Sequence, residues 1–121
     1  MNEELPEISF TIPLKAANGK GKRAEKFRLD AKEYIPEWMP EYSNHSKRYS
    51  LKVIFYYLGE CNGDMDNRLL CIFDALKGKV IYDDFQIKEL NCKMVEDSER
   101  TAIFISVKEI PPHTPSKKIL H

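Results

Sequence analysis

Five aspartates lie within 21 residues of one another, in the stretch that also carries the clearest helical pattern of the chain. They are Asp64, Asp66, Asp74, Asp83 and Asp84. Mg²⁺ takes oxygen ligands, usually one or two carboxylates, with water and substrate phosphate completing its coordination. A group of aspartates fixed at one end of a rigid helix is therefore a candidate metal site for phosphate chemistry.

The helix that positions these aspartates is predicted over residues 66 to 76. Asp66 is a suitable N-cap residue, and Gly78 follows the last turn as a C-terminal glycine. Apolar side chains recur at the i, i+3, i+4, i+7 spacing of an amphipathic helix, at Leu69, Ile72, Phe73 and Leu76. Asp64 and Asp66 can converge on one ion only if Asp64 precedes the helix in an extended conformation and Asp66 stands at its cap. Such crowded carboxylates repel one another, which favours a bound divalent cation.

Asp74 lies on the helix itself, whereas Asp84 follows it in the chain. Asp66, Leu70 and Asp74 share one ridge at i, i+4 and i+8. Asp84 must arrive from the loop after the helix, where Gln86 could orient a ligand or bond the backbone. The same residues also have a simpler interpretation, in which Asp66 only caps the helix and Asp83-Asp84 form a solvated turn.

The order and spacing of these motifs resemble those of the RusA-type Holliday junction resolvases. The segments that carry the resemblance are Asp64-Met65-Asp66-Asn67, Phe73-Asp74-Ala75-Leu76 and Asp83-Asp84-Phe85-Gln86. The resemblance is specific over about a quarter of the chain. It implies that Asp64, Asp66 and Asp84 are the catalytic aspartates and hold Mg²⁺, with Mn²⁺ as a substitute, and that Asp83 and Asp74 match further family aspartates.

One position departs from this pattern. The family usually carries a lysine six residues after its first aspartate, where this chain has Leu70. A lysine on the Asp66–Asp74 ridge could stabilise charge on the scissile phosphate. Arg68 is expected on the far side of the helix. The replacement for the family lysine is left open among Lys77, Lys88 and Lys93.

Basic residues are segregated from these acids, although the net charge of the chain is zero. Residues 15 to 28 hold six cations against one acid, and residues 45 to 52 hold His45, Lys47, Arg48 and Lys52 with no acid. Basic segments beside a carboxylate cluster suit a nuclease that tracks phosphates, although they also suit a solvated loop. The candidate DNA-binding residues are Lys15, Asn18, Lys20, Lys22, Arg23 and Asn67.

The fold class is predicted as α+β. Residues 1 to 121 are expected to form a single small RusA-like domain, with a mixed sheet of about four strands and one principal helix. Strands are expected at residues 8 to 12 and 50 to 58, and an antiparallel hairpin at 86 to 95 and 101 to 109. A short helix with Asp30 as its cap is expected at 30 to 39, after a basic loop, and residues 110 to 121 are expected to be a mobile tail.

Composition limits the class of protein. Hydrophobic content of 42% and charged content of 31% in 121 residues fit a globular protein. No apolar run approaches the roughly 20 residues that cross a membrane, and the polar N-terminus does not resemble a secretory signal. Three cysteines without CxxC spacing are expected to be reduced thiols of a cytoplasmic protein, with no zinc site.

Three functional hypotheses follow. The first is a Mg²⁺-dependent endodeoxyribonuclease that resolves Holliday junctions or other branched DNA in recombination and repair. The resemblance implies that it acts as a homodimer, which suits a junction in which two symmetric strands are cut. The second is a module that binds branched DNA with weak or no cleavage, because Leu70 replaces the family lysine. The third is a metal-free interaction protein whose aspartates serve only as caps and turns.

Overall fold

Four strands and two helices make up the computed structural model, which describes residues 5–17, 21–38, 45–61 and 63–113. In chain order the long elements are β1 (Glu7–Ile12), α1 (Lys22–Lys32), β2 (Arg48–Tyr56), α2 (Met65–Leu76), β3 (Ile87–Val95) and β4 (Ala102–Ile110). A short 3-10 turn, Asp84–Gln86, precedes β3. The predicted α+β class with a four-stranded mixed sheet is confirmed. The expected tail from 110 lies largely outside the described residues.

The strands form one sheet in the order β1-β4-β2-β3. β4 runs antiparallel to both β1 and β2, and β2 runs parallel to β3. The hairpin predicted between the last two strands is therefore wrong, because β2 lies between them. β1 and β2 point in the same direction, so their C-terminal ends lie at the same end of the sheet.

Both helices contribute to a single apolar core with the sheet. Alternate residues of β2 are buried, as period-two alternation requires of a strand with one core-facing side. Ala24, Phe27 and Ala31 of α1 join this core at helical spacing, as do five buried apolar residues of α2. The helix expected at 30–39 is wrong, since α1 spans much of the expected basic loop and Asp30 lies inside it.

Arg68 points into the protein, away from the exposed Leu70, and so lies on the far side of α2 as predicted. Its side chain is 6% exposed. One guanidinium nitrogen donates a hydrogen bond of 2.7 Å to the Ala16 carbonyl, and the group lies 5.4 Å from the ring centroid of Tyr57. Arg68 therefore joins the start of α2 to the segments that follow β1 and β2.

We expect Arg68→Ala to lower the free energy of unfolding by roughly 2–4 kcal/mol, because it opens a cavity and leaves a buried carbonyl unsatisfied. Urea denaturation at constant slope measures the change. Arg23→Ala is the matched control, since Arg23 is exposed in the first turn of α1. Equal stability of the two variants would contradict a structural role for Arg68.

Candidate active site at the two ends of α2

Asp64 and Asp66 lie where the chain leaves β2 and enters α2. Asp64 is the N-cap residue, with extended backbone angles of φ −84° and ψ 132°, and its side chain makes no capping hydrogen bond. Asp66 lies in the first helical turn, so its prediction as the N-cap is wrong by two residues. Both side chains are exposed. Asp64 is extended, as convergence of the two side chains on one ion requires, but Asp66 lies inside the helix and not at its cap.

Predicted DNA-binding residues lie at this same end of the sheet. Lys15 follows β1, and Lys22 and Arg23 form the start of α1, all three exposed. α1 begins beyond the C-terminal end of β1 and α2 beyond that of β2, so the two helices start at the same end. Asn67 is half-buried in the first turn of α2. Asn18 and Lys20 lie outside the described residues.

A second charged group lies at the other end of α2. Lys77 Nζ is 3.3 Å from Asp74 Oδ1 and 3.3 Å from Asp83 Oδ1. Arg28 approaches Asp74 Oδ2 at 3.8 Å from α1. Burial opposes the charge of Lys77, but its hydrogen bonds to Asp83 and Asp74 and the charge of Asp84 outweigh this effect and raise its pKa. Lys77 thus lies between Asp74, in the last turns of α2, and Asp83, in the loop that follows the helix.

Asp84 is oriented by a compact turn that Asp83 and Gln86 build. Asp83 Oδ1 accepts a hydrogen bond of 2.7 Å from the Asp84 backbone N–H. This hydrogen bond is the largest cause of the lowered pKa of Asp83. The hydrogen bond and the positive charge of Lys77 lower that pKa further. Gln86 is 2% exposed, and its carbonyl accepts from the backbone N–H groups of Tyr82 and Asp83. Of the two roles expected for Gln86, orienting a ligand or bonding the backbone, its side chain has the second.

The aspartates are divided between the two ends of α2. The helix returns from the end of β2 to the start of the parallel strand β3, so Asp64 and Asp66 lie at one end and Asp84 at the other. Asp66 and Asp74 alone are separated by about 12 Å along the helix axis, at 1.5 Å per residue. The expectation that the aspartates gather at one end of the helix is therefore wrong for a single chain.

Reciprocal lysine contacts fix the helix ends near Lys77. Lys32 Nζ of α1 donates to the Ala75 and Lys77 carbonyls at 3.2 and 3.3 Å, at the end of α2. Lys79 Nζ donates to the Lys32 carbonyl at 2.7 Å, at the end of α1. Cations at helix C-termini satisfy terminal carbonyls and favour the helix dipole. These contacts hold the two helices in register around the second charged group.

Leu70 lies on the exposed ridge of α2 between the two ends. Its side chain is 46% exposed, so it is not a core residue. It stands one helical turn from both Asp66 and Asp74. Of the three candidates for the missing family lysine, Lys77 contacts an aspartate of the set, whereas Lys88 and Lys93 are exposed residues of β3.

The carboxylates fit a metal site of a particular kind. Within residues 5–17, 21–38, 45–61 and 63–113, no group of three or more His, Cys, Asp or Glu side chains could hold a metal ion. Mg²⁺, however, is commonly held by one or two carboxylates together with water and substrate phosphate. The exposed pair Asp64 and Asp66 fits that description, and a three-aspartate site within one chain does not.

The family model described as Endodeoxyribonuclease RusA matches residues 14–108 of the chain. The matched region contains both helices, β2, β3, most of β4 and every aspartate of the set. The search of the curated proteins found no match. No described helix is long and apolar enough to cross a membrane.

Proposed function

The chain belongs to the RusA endodeoxyribonuclease family, a family of metal-dependent Holliday junction endonucleases, and we propose that it cleaves four-way and related branched DNA in recombination and repair. The family match over residues 14–108 is the observation that carries this proposal. The division of basic and acidic side chains supports it, because Lys15, Lys22 and Arg23 lie at the end of the sheet where α2 presents Asp64 and Asp66.

We infer that Asp64, Asp66 and Asp84 are the catalytic aspartates and that the metal is Mg²⁺, for which Mn²⁺ can substitute. Asp64 and Asp66 would hold the ion. A bound divalent cation supplies positive charge to the scissile phosphate and lowers the pKa of coordinated water. Lys15, Lys22 and Arg23 hold the DNA backbone, which positions the phosphodiester without reading its sequence. Water attacks the phosphorus and gives up a proton, the bond to the 3′ oxygen breaks, and that oxygen takes up a proton, which leaves a 5′ phosphate and a 3′ hydroxyl.

A homodimer provides a way for Asp84 to take part. Asp84 is separated from Asp64 and Asp66 of its own chain by the length of α2. In an isologous dimer a surface of one subunit meets the same surface of the other, turned by a two-fold axis. Such an axis across α2 brings Asp84 of the partner subunit toward Asp64 and Asp66. We propose that each active site is completed in this way, which gives two sites for two symmetric strands.

Lys77 is our candidate for the cation that the family lysine supplies. It lies among Asp74, Asp83 and Asp84, so the same dimer would carry it to the active site with Asp84. A positioned cation stabilises charge that develops on the phosphate in the transition state. Because Asp74 and Asp83 already neutralise part of its charge, Lys77 is expected to act less strongly than a lysine at position 70.

This partial neutralisation favours a second candidate function. In this candidate, the chain binds branched DNA and cuts it slowly or not at all, because Lys77 is shared by the carboxylates of Asp74 and Asp83. The third candidate is a metal-free interaction protein whose aspartates serve only as caps and turns, a role that Asp83 does have in the turn before β3. Asp66, the cap expected from the sequence, is not the N-cap residue of α2. Asp64 makes no side-chain capping hydrogen bond, which disfavours that candidate.

A cleavage assay tests these functions. Synthetic four-way, flapped and linear duplexes of the same sequence are incubated with Mg²⁺, with Mn²⁺ and with EDTA. We expect paired incisions on the four-way junction with either cation and none with EDTA. Tight binding without incision supports the binding module. Equal affinity for all three DNAs, without incision, contradicts a role in branched DNA.

The salt dependence of junction binding tests the basic start of α1. Lys22→Gln combined with Arg23→Gln is expected to flatten the log–log dependence of affinity on salt, by roughly 0.9 for each phosphate that is no longer neutralised. Titrations at several salt concentrations measure this slope. The matched control replaces Lys52 and Lys108, two exposed lysines of the sheet, by glutamine. A slope that changes equally in both double variants would mean that α1 makes no defined contact with the DNA backbone.

A further inference from the structure

Three aromatic rings form an exposed cluster beside Asp84. The rings of His45 and Tyr82 are stacked, with centroids 3.7 Å apart and planes inclined by 24°. Phe85 meets Tyr82 edge to face at 6.4 Å. Tyr82 and Phe85 are 45% and 49% exposed, although burying such rings is normally favourable. These side chains therefore contribute less to the core than their size allows.

The segments that carry the cluster are joined by the same residue that builds the Asp83–Asp84 turn. Gln86 accepts from the Tyr82 backbone N–H at 2.7 Å and donates from its amide to the Lys47 carbonyl at 3.2 Å. It thus joins the segment that carries His45 to the segment that carries Tyr82 and Phe85. Tyr82 and Phe85 immediately flank Asp83 and Asp84 in the chain, so the rings stand next to the proposed catalytic carboxylate.

Cationic side chains follow His45 in the chain and line a groove there. A groove of about 420 Å³ is lined by the basic residues Lys47, Arg48 and His113, together with Ser46, Ile110 and Glu109. Glu109 pairs with Lys47 at 3.0 Å, so Arg48 is the cation of the groove that this ion pair leaves available. Exposed aromatic faces next to a basic groove are the arrangement by which proteins hold unpaired nucleotides, through base stacking and backbone attraction.

We propose that His45, Tyr82 and Phe85 form a platform that stacks an unpaired nucleobase, with its phosphate in the groove at Arg48. The inference rests on the proposed function in one respect, which is that a branch point supplies such a base next to the cleaved bond. A ring that captures this base would position the adjacent phosphodiester near Asp84. The platform would then select branched over fully paired DNA without reading sequence.

Fluorescence of 2-aminopurine tests the platform apart from cleavage. The probe is a short oligothymidine with one 2-aminopurine, in EDTA, and wild type is expected to quench it by stacking. Tyr82→Ala and Phe85→Ala should each abolish the quenching and weaken binding about 5- to 150-fold, the range for loss of one stacked base. Tyr82→Phe should retain both. Tyr34→Ala is the matched control, because Tyr34 is an exposed tyrosine outside the cluster.

Two further measurements make the outcome decisive. Phe85→Leu keeps apolar bulk without an aromatic face, so its loss of quenching cannot be ascribed to unfolding. Sedimentation of each variant tests whether the rings instead join two copies of the chain. Absence of quenching by wild type, unchanged affinity of the alanine variants, or their dissociation into monomers would each overturn the platform.

Junction cleavage by wild type with Mg²⁺ is scored separately. Quenching without cleavage supports the platform and contradicts the nuclease. Cleavage without quenching contradicts the platform and supports the nuclease. The two proposals therefore fail in different measurements.

Discussion

Asp66→Asn is expected to reduce single-turnover cleavage of a four-way junction by more than about 10²-fold while junction affinity and folding are retained. Loss of a residue that only supports a metal ligand already costs 10- to 100-fold, and we expect loss of a ligand to cost more. The asparagine keeps the size of the side chain and removes its charge. Quenched-flow cleavage, binding in EDTA and thermal melting on one preparation measure the three quantities.

Glu25→Gln is the matched control for Asp66→Asn. Glu25 occupies the first turn of α1 as Asp66 occupies the first turn of α2, and both are exposed. Each substitution removes a favourable interaction with a helix N-terminus of roughly 0.3–1 kcal/mol. A loss of cleavage confined to Asp66→Asn therefore reports on the site. Equal cleavage by the two variants would remove Asp66 from it.

Mixed dimers extend this prediction to the source of Asp84. Asp66→Asn and Asp84→Asn are each expected to be inactive alone. If each site combines Asp66 of one subunit with Asp84 of the other, a mixed dimer contains one intact site and one doubly altered site. Mixing the two inactive proteins should then restore nicking of the junction. No restoration, with subunit exchange verified, would mean that both aspartates act within one chain.

The strands could be predicted from the sequence because local alternation determines them. The strands expected at residues 50 to 58 and 101 to 109 lie within two residues of the observed bounds. The pairing was not predictable in the same way. The turn at Asp97–Arg100 favours a hairpin, yet β3 pairs with β2 across the whole α2 connection. Strand partners depend on burial against distant elements, which a local pattern does not contain.

The sequence does contain a signal for α1, but a weak one. Its buried positions are Ala24, Phe27 and Ala31, two of which have the smallest apolar side chain. The many cations around them favour a loop interpretation. Helices whose core-facing residues are small depend on close packing against a neighbour, here α2. The helical spacing of such small core-facing residues becomes recognisable once that neighbour is known.

The aspartates show where sequence proximity misleads. Asp64, Asp66 and Asp84 are close along the chain, but a helix between two parallel strands separates its own two ends. The parallel pairing of β2 with β3 fixes this separation. The same pairing brings His45 against Tyr82, a contact between segments 37 residues apart that no local pattern indicates. Predicting either feature would have required the sheet order.

Leu70→Lys is expected to accelerate cleavage by about 10²–10³-fold, provided that wild type is slow. The estimate is taken from the effect of a single positioned donor for developing negative charge. Lysine at this position lies one turn from Asp66 and Asp74 on the exposed ridge of α2. Single-turnover rates at saturating junction measure the gain, and affinity should change little.

The exposure of Leu70 determines what happens to stability. A buried lysine would cost several kcal/mol, but a side chain that is 46% exposed in leucine leaves room for the ammonium group in water. Ion pairs with Asp66 and Asp74 would add roughly 0.2–0.5 kcal/mol each. The melting temperature should therefore stay constant or rise slightly. Leu29→Lys, on the exposed face of α1, controls for the added charge.

Lys77→Gln distinguishes the two possible reasons for an unchanged rate in Leu70→Lys. If Lys77 already supplies the cation, Lys77→Gln slows wild type, and Leu70→Lys restores the rate in the double variant. If neither substitution alters the rate, the site uses no side-chain cation and the metal alone carries the developing charge. A faster Leu29→Lys protein would show instead that any added positive charge on the helices acts by attracting DNA.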